Sequence, residues 1–276
     1  MAGTLYLVAT PIGNLNDFSP RAVATLAEAD FIAAEDTRVS VKLLNHFEIK
    51  KPLLSYHQHN HVTAGRAILE RLLAGETCAL VTDAGTPAVS DPGEELVKLC
   101  AEHDVPVISI PGCCALVNAL AVSGLATGRF TFEGFLTTNT SSRREHLQSL
   151  VEEERTMIFY EAPHKLLTTL EDMAEAFGGD RPITLCRELT KLHEETIRTT
   201  LSGALERWKD VSPRGEFVLV LAGAPPKEKV AVTLEEGVEL VLRRREEGMK
   251  LKEAVRQVSA DTGLPKNQLY DAALKA

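Results

Sequence analysis

The chain has 276 residues, of which 44% are hydrophobic and 25% charged, with a net charge of −9. These are ordinary figures for a soluble globular protein long enough for two domains, and no run of 18 apolar residues suggests a membrane span. The acidity argues against nucleic-acid contacts over the whole surface, and five cysteines without a C-x-x-C pair argue against a disulfide framework or structural zinc.

In chain order, the first residues enter a strand pattern at once, without the basic and long apolar segments of a secretory leader. With the cysteine usage, this makes a reducing cytoplasm the expected compartment. Predicted strands are Thr4–Ala9, Phe31–Ala34, Pro52–Tyr56, Thr77–Thr82 and Pro106–Ile110. Helical patterns lie between them at Ser19–Ala29, Thr37–Phe47, Val62–Ala74, Pro92–His103 and Cys114–Val122. Such alternation implies an α/β fold with a mostly parallel sheet and helices on both faces.

A stretch of small residues from Ser123 to Gly128 marks a domain boundary. Beyond it, strands are expected at Phe130–Phe135, Thr156–Tyr160, Ile183–Cys186, Glu195–Leu201 and Glu216–Ala222, and helices at Arg143–Glu153, His164–Phe177 and Gly203–Trp208. Neighbouring strands with only one short helix between them suggest a mixed α+β second domain. A linker from Ala224 to Lys229 leads to helices alone, at Leu234–Glu247, Lys250–Thr262 and Pro265–Leu274. The expected domains are therefore 1–122, 123–224 and a helix-turn-helix-like tail, 230–276.

Familiar nucleotide and hydrolase motifs are absent. No G-x-G-x-x-G follows the first strand, and there is no G-x-x-x-x-G-K-[ST], G-x-S-x-G or H-E-x-x-H. What stands out is a polar or glycine-bearing cluster after each of the first five strands. These are Thr10–Asn14, Glu35–Arg38, His57–Asn60, Asp83–Pro87 and Pro111–Ala115. In a parallel sheet all five fall on one edge, where ligands bind. The fourth cluster runs on to Asp91-Pro92-Gly93, and small residues there let a ligand approach backbone while a carboxylate takes a hydroxyl or amine. Each cluster also has a local reading. Glu35 and Asp36 with Arg38 make a helix cap and ion pair, and Pro111-Gly112 makes a plain turn. His57 and His59 are surface polar residues more often than ligands, so no metal is expected.

Taken together, several blocks resemble one family. They are Leu7–Leu15, Ala33–Arg38, Asp83–Pro87, Phe159–Glu161 and Arg187–Lys191, in that order along the chain. The family is the bacterial ribosomal RNA small-subunit methyltransferase I, of the tetrapyrrole-methylase-like group of S-adenosylmethionine-dependent enzymes. The resemblance implies methyl transfer from S-adenosylmethionine to the ribose 2′-oxygen of a cytidine in small-subunit (16S) ribosomal RNA. It also implies two α/β domains with the cofactor in the cleft between them, a homodimer, and a small helical domain at the end. Carried over by position, Pro11, Asp83, Ala84, Gly85, Thr86, Cys114, Ala115 and Glu161 match cofactor-contacting positions. One departure lies in Cys113-Cys114, where many relatives carry a hydroxyl or small residue.

A weakly nucleophilic ribose hydroxyl benefits from a general base. Glu35, Asp36 and His57 are candidates on the convergent edge, and the sequence does not choose among them. Arg38 or Arg187 suits an adjoining phosphate, and Arg143-Arg144 reads either as a solvated helix start or as a phosphate contact on a loop. Residues 242–266 hold 7 basic and 4 acidic side chains. Lys250, Lys252, Arg256 and Lys266 are therefore expected to contact RNA, free or in an assembled small subunit. Two other readings are a methylase of a tetrapyrrole or other small acceptor, which has no need of the tail, and a non-catalytic RNA-binding module.

Overall fold

The computed structural model describes residues 2–225 and 232–276. These form two compact units divided between Ala224 and Pro225. The linker read from Ala224 to Lys229 lies, from Pro226 on, outside the described residues.

The first half follows the predicted alternation closely. It runs β1 (Leu5–Val8), α1 (Pro20–Glu28), β2 (Phe31–Ala34), α2 (Thr37–His46), β3 (Leu53–Ser55), α3 (His61–Leu73), β4 (Cys78–Val81), α4 (Glu94–Glu102), β5 (Val107–Ile110) and α5 (Ala115–Ser123). The five strands pair in parallel in the order β3-β2-β4-β1-β5. Strand alternation sends Phe31, Ala33, Cys78 and Leu80 to one face, against Ile68 and Leu72 of α3 and Leu96 of α4. Ile32, Ala34, Ala79 and Val81 face the other way, against Ala22 and Leu26 of α1 and Leu44 of α2. A sheet buried on both faces exposes only its edges and strand ends.

The second half runs β6 (Phe130–Phe135), α6 (Thr140–Ser149), β7 (Thr156–Glu161), α7 (Leu166–Phe177), β8 (Pro182–Arg187), β9 (Glu195–Thr200), α8 (Leu201–Arg207) and β10 (Phe217–Leu221). The sheet order is β6-β7-β10-β8-β9, with β6 and β7 parallel and the other pairs antiparallel. One face carries Met157, Phe159, Leu185, Phe217 and Leu219 and packs on α6, α7 and α8. Each wholly buried side chain of this size contributes roughly 2 kcal/mol. The opposite face, with Ile158, Cys186, Val218 and Val220, packs on Leu116, Ala119 and Leu120 of α5. Helix α5 thus follows the first sheet in sequence but serves the second in space.

Two helices start two or three residues earlier than expected, both because a hydroxyl or amide side chain caps there. α6 begins at Thr140, not Arg143, because the Asn139 side chain accepts the Ser142 N–H at 3.0 Å. α8 begins at Leu201, not Gly203, because Thr200 Oγ1 accepts the Gly203 N–H at 3.2 Å.

The second unit holds α9 (Leu234–Glu246), α10 (Leu251–Thr262) and α11 (Lys266–Lys275). Thr233 and Glu236 form a reciprocal capping box at the start of α9. Val241, Ala254, Val255, Val258, Leu269 and Ala273 make its core. Gly263, in the left-handed conformation, turns α10 into α11. Among the described residues no helix is long and apolar enough to cross a membrane.

Candidate functional site

The turns after β1, β4 and β5 are stitched together by the backbone. Thr10 and Gly85 exchange N–H···O bonds of 2.8 and 3.0 Å. Thr10 Oγ1 donates to the Thr82 carbonyl at 3.1 Å, and Thr86 Oγ1 to the Cys113 carbonyl at 2.9 Å. Gly85 sits at φ +86°, which disfavours any side chain. At Gly112 a Cβ would lie 2.8 Å from that of Ala9, so the turn after β5 can lie against β1 only without one.

Beyond these turns lies a cavity of about 470 Å³ within the first unit. The first half lines it with Ile12, Ala84, Gly85, Thr86, Val89, Ser90, Asp91, Cys114 and Ala115. The second half contributes Phe135, Tyr160, Glu161, Ala162, Pro163, Cys186, Leu189, Glu216, Phe217 and Val218. The hydroxyl of Tyr160 accepts the Leu116 N–H at 3.1 Å, joining β7 to the first turn of α5. Phe132 and Phe135 meet its ring edge-on, at centroid distances of 5.0 and 5.4 Å. Cys114, the N-cap of α5, makes no side-chain cap, so the helix opens onto the cavity with backbone amides. Size, apolar walls and a few convergent polar groups suit a small organic ligand. S-adenosylmethionine, with a flat adenine ring at one end and a sulfonium and polar amino-acid group at the other, fits that description.

Of the expected cofactor residues, Ala84, Gly85, Thr86, Cys114, Ala115 and Glu161 line this cavity. Pro11 does not; its neighbour Ile12 does. Asp83 is exposed outside the lining, and its Oδ1 accepts the Asp36 N–H at 3.2 Å, tying the end of β4 to that of β2. Glu161 is buried, and both its oxygens are engaged. One accepts the Ala162 N–H at 2.8 Å and the other the Thr169 hydroxyl at 2.5 Å.

The three candidate bases lie outside the lining as well. Asp36 chelates the Arg38 guanidinium, with Nε and Nη2 contacts of 3.0 and 2.6 Å. Those bonds hold its pKa down at about 2, so Asp36 is an anion tied to Arg38. Glu35 is pushed above the usual carboxylate range, first by burial, and accepts a long bond of 3.4 Å from the Asp83 N–H. His57 follows β3; its N–H donates to Asn60 Oδ1 at 2.8 Å and its Nδ1 accepts the His59 N–H at 3.2 Å. Among the described residues no group of three or more His, Cys, Asp or Glu is placed to hold a metal.

Sequence reading missed Asp91 as a site residue, although it named the loop. It also missed the wall of Phe135, Phe217 and Val218, and it named Tyr160 and Leu189 only within the blocks that carry the resemblance. A strand residue facing a cavity reads the same as one facing a core, so those apolar positions carried no signal.

The expected phosphate contacts divide. Arg143 is corrected: only 7% exposed, it donates from Nε to Asp172 at 2.6 Å. The early start of α6 puts it on the face toward α7, where Asp172 is buried. Arg144 shares Asp172 at 2.8 Å and reaches Glu175 at 3.1 Å, but stays half exposed. Arg187 donates to the Arg214 carbonyl at 2.5 Å and lines a second hollow with Arg207, Trp208, Val211 and Arg214. Arg38 has a side chain 88% exposed. In the second unit Lys250, Lys252, Arg256 and Lys266 are all exposed, whereas Arg244 is bound to Asp261 and Gln257.

A parallel sheet whose stitched strand ends open onto a cavity walled by a second, mixed sheet defines a class, and comparison identifies it. The model of tetrapyrrole (corrin/porphyrin) methylases matches residues 4–205, and that of the RsmI C-terminal HTH domain matches 232–276. A solved uroporphyrin-III C-methyl transferase from Thermus thermophilus, complexed with S-adenyl homocysteine, shares the fold. Its TM-score is 0.56 at 20% identity, covering 80% of this chain and 97% of the other. The ribosomal RNA small subunit methyltransferase I of Synechocystis sp. is 50% identical over 99% of this chain and 98% of its own. That of Halalkalibacterium halodurans is 47% identical over 98% and 94%. The chain belongs to the ribosomal RNA small subunit methyltransferase I family, within the tetrapyrrole methylases.

Proposed function

We propose that the chain methylates the ribose 2′-oxygen of a cytidine in small-subunit ribosomal RNA. The coarser activity, S-adenosylmethionine-dependent methylation of ribosomal RNA, follows from its family. What supports the finer reading is the near full-length likeness to ribosomal RNA small subunit methyltransferases I, joined to a cavity whose apolar walls, glycine-bearing turns and carboxyl groups suit the methyl donor.

Bound there, S-adenosylmethionine supplies a methyl group already activated for transfer, and the protein's main task is alignment. Gly85, Thr86 and the start of α5 offer backbone to the donor's polar groups, and the wall around Phe217 and Val218 takes its apolar part. Glu35 and His57, at the ends of β2 and β3, border the approach of the acceptor, with Asp83 between β4 and β2. Arg38, Arg187 and the half-exposed Arg144 suit phosphates beside it. The reading keeps a functional division at 1–122, 123–224 and 230–276, with the basic tail docking RNA. It also keeps a homodimer working in the cytoplasm. A tetrapyrrole or other small acceptor is the weaker reading, because it leaves the matched tail without a task.

The test is transfer of labelled methyl to naked small-subunit RNA and to intact subunits, followed by nucleoside analysis. The expected product is 2′-O-methylcytidine. Label on a base, or on a tetrapyrrole in preference to RNA, overturns the reading.

A further inference from the structure

Three carboxyl groups belong to the cavity wall: Asp91, Glu161 and Glu216. Glu161 has both oxygens engaged by its own chain. Glu216 is bound to Lys191 at 2.8 Å. Asp91 has no hydrogen-bond or ion-pair partner among the described residues. No histidine lines the cavity among the described residues, and burial pushes the Tyr160 hydroxyl up to about 12, too high to act as a base near neutral pH.

The position of Asp91 is fixed from both sides. It ends a loop in which Ala88 and Ser90 both hold a left-handed φ of 66°, a strained conformation kept where a site needs it. Across the cavity, a Cβ on Gly134 of β6 would come within 3.3 Å of Ser90 Oγ, so the loop packs closely on the second sheet. The charges of Glu35 after β2 and Asp83 after β4 act on Asp91, and the charge of Asp91 acts in turn on Tyr160 of β7.

We propose that Asp91 is the general base that takes the proton from the acceptor hydroxyl. The proposal rests on the ribose reading given above. As the acceptor oxygen forms its bond to the methyl carbon, the carbon–sulfur bond breaks and its electron pair stays on sulfur, leaving a neutral thioether. The hydroxyl proton passes to an Asp91 oxygen and from there to water. A carboxylate held apart from other donors, in a partly desolvated wall, keeps its lone pairs free for that proton. The same burial, with the charges of Glu35 and Asp83, raises its pKa to about 7, so proton acceptance is poised near neutral pH. Asp36, tied to Arg38, lacks that property.

The full chain carries the test. By calorimetry, Asp91→Asn should bind S-adenosylmethionine within threefold of the wild-type affinity. Its single-turnover methyl transfer to RNA at pH 7 should fall about 100-fold or more. The rising limb of the wild-type pH–rate profile, near pH 7, should flatten. Independently of turnover, a carbon-13 titration of the Asp91 carboxyl in ligand-free protein should have its midpoint in the same range. The Asp91→Ser variant, smaller and equally without a base, must behave alike. Wild-type rate and pH profile in either variant overturn the proposal and leave the ribose reading standing. So does a loss of cofactor affinity that matches the loss of rate, which would make Asp91 a donor contact. Methyl found on a base in the wild-type product overturns the ribose reading, and the proposal with it.

Discussion

The two sheets contribute to one cavity in different ways, and strand direction explains why. In the first sheet all five strands run parallel, so every strand ends at the same edge, and the sheet supplies turns with exposed backbone. In the second, antiparallel pairing scatters strand ends to both edges, so only a face can converge on a ligand. That face supplies walls: Tyr160, Cys186 and Val218. Buried polar contacts divide the same way. Near the first sheet they join one turn to another, as in the Thr10–Gly85 bridge. Behind the second they brace helices, as in Arg143–Asp172. Backbone turns define where a ligand sits, and the braced sheet closes the space around it.

The comparison breaks if the brace turns out to serve the ligand. Arg143→Ala leaves Asp172 buried with Arg144 as its only ion-pair partner among the described residues, and should cost about 3 kcal/mol of stability. Folded Arg143→Ala should keep its cofactor affinity and the salt dependence of RNA binding. An unchanged denaturation midpoint would remove the brace from the account.

A turn residue should behave in the opposite way. Gly85→Ala forces a side chain into the left-handed region, at about 1–2 kcal/mol. Its new Cβ would meet Ile12 at an ordinary 3.6 Å, so the penalty is conformational and the turn should shift rather than collapse. Cofactor affinity should fall about tenfold, equivalent to about 1.4 kcal/mol, measured by calorimetry. Wild-type affinity would mean that the turn does not shape the site.

Asp91 sharpens the contrast through pH. Its pKa is raised from 3.8 to about 7 on folding. The protonated form is therefore favoured in the folded state, so its contribution to stability is fully present below 3.8 and is lost as pH rises through about 7. Asp91→Asn removes the charged form, so the variant should match wild type near pH 3 and exceed it at pH 8 (roughly one unit beyond those two pKa values). The full gap corresponds to about 4 kcal/mol, but solvent screening of this partly exposed group reduces the expected gain to about 1 kcal/mol. Equal thermal midpoints at pH 8 would show that Asp91 carries no strain of this kind.

Much of the first sheet's edge was legible because glycine, proline and polar residues punctuate each strand end. Glu35–Arg38 and Asp83–Pro87 stood out for that reason. The walls were not legible: Phe217 packs in the core and Val218 toward α5, yet both are apolar strand residues. Asp91 lay within a named loop, but its neighbours signal a turn, and only folding brings Glu35 and Tyr160 to it. Arg143 was misplaced because Thr137–Ser142 reads as a loop until Asn139 is seen to cap a helix.

The smallest expected effect lies in the tail, and it tests whether RNA docking is separate from the cavity. Lys250 caps the start of α10 with backbone only, and Lys252 and Arg256 are one turn apart on its exposed side. The buried side of the same helix, Ala254, Val255 and Val258, is committed to the unit's core. Neutralising Lys252 and Arg256 together, as Lys252→Gln with Arg256→Gln, should therefore leave the tail folded. It should also leave S-adenosylmethionine affinity unchanged. If both side chains meet phosphates, the slope of log affinity for RNA against log salt should shrink by about 1.5. Affinity near physiological salt should fall several-fold, about 1 kcal/mol in all. The distinguishing feature is salt: a merely structural role would lower affinity by the same factor at every ionic strength. A salt slope identical to wild type would assign these cations to a solvated face and move RNA docking to Arg38 and the Arg187–Arg214 hollow.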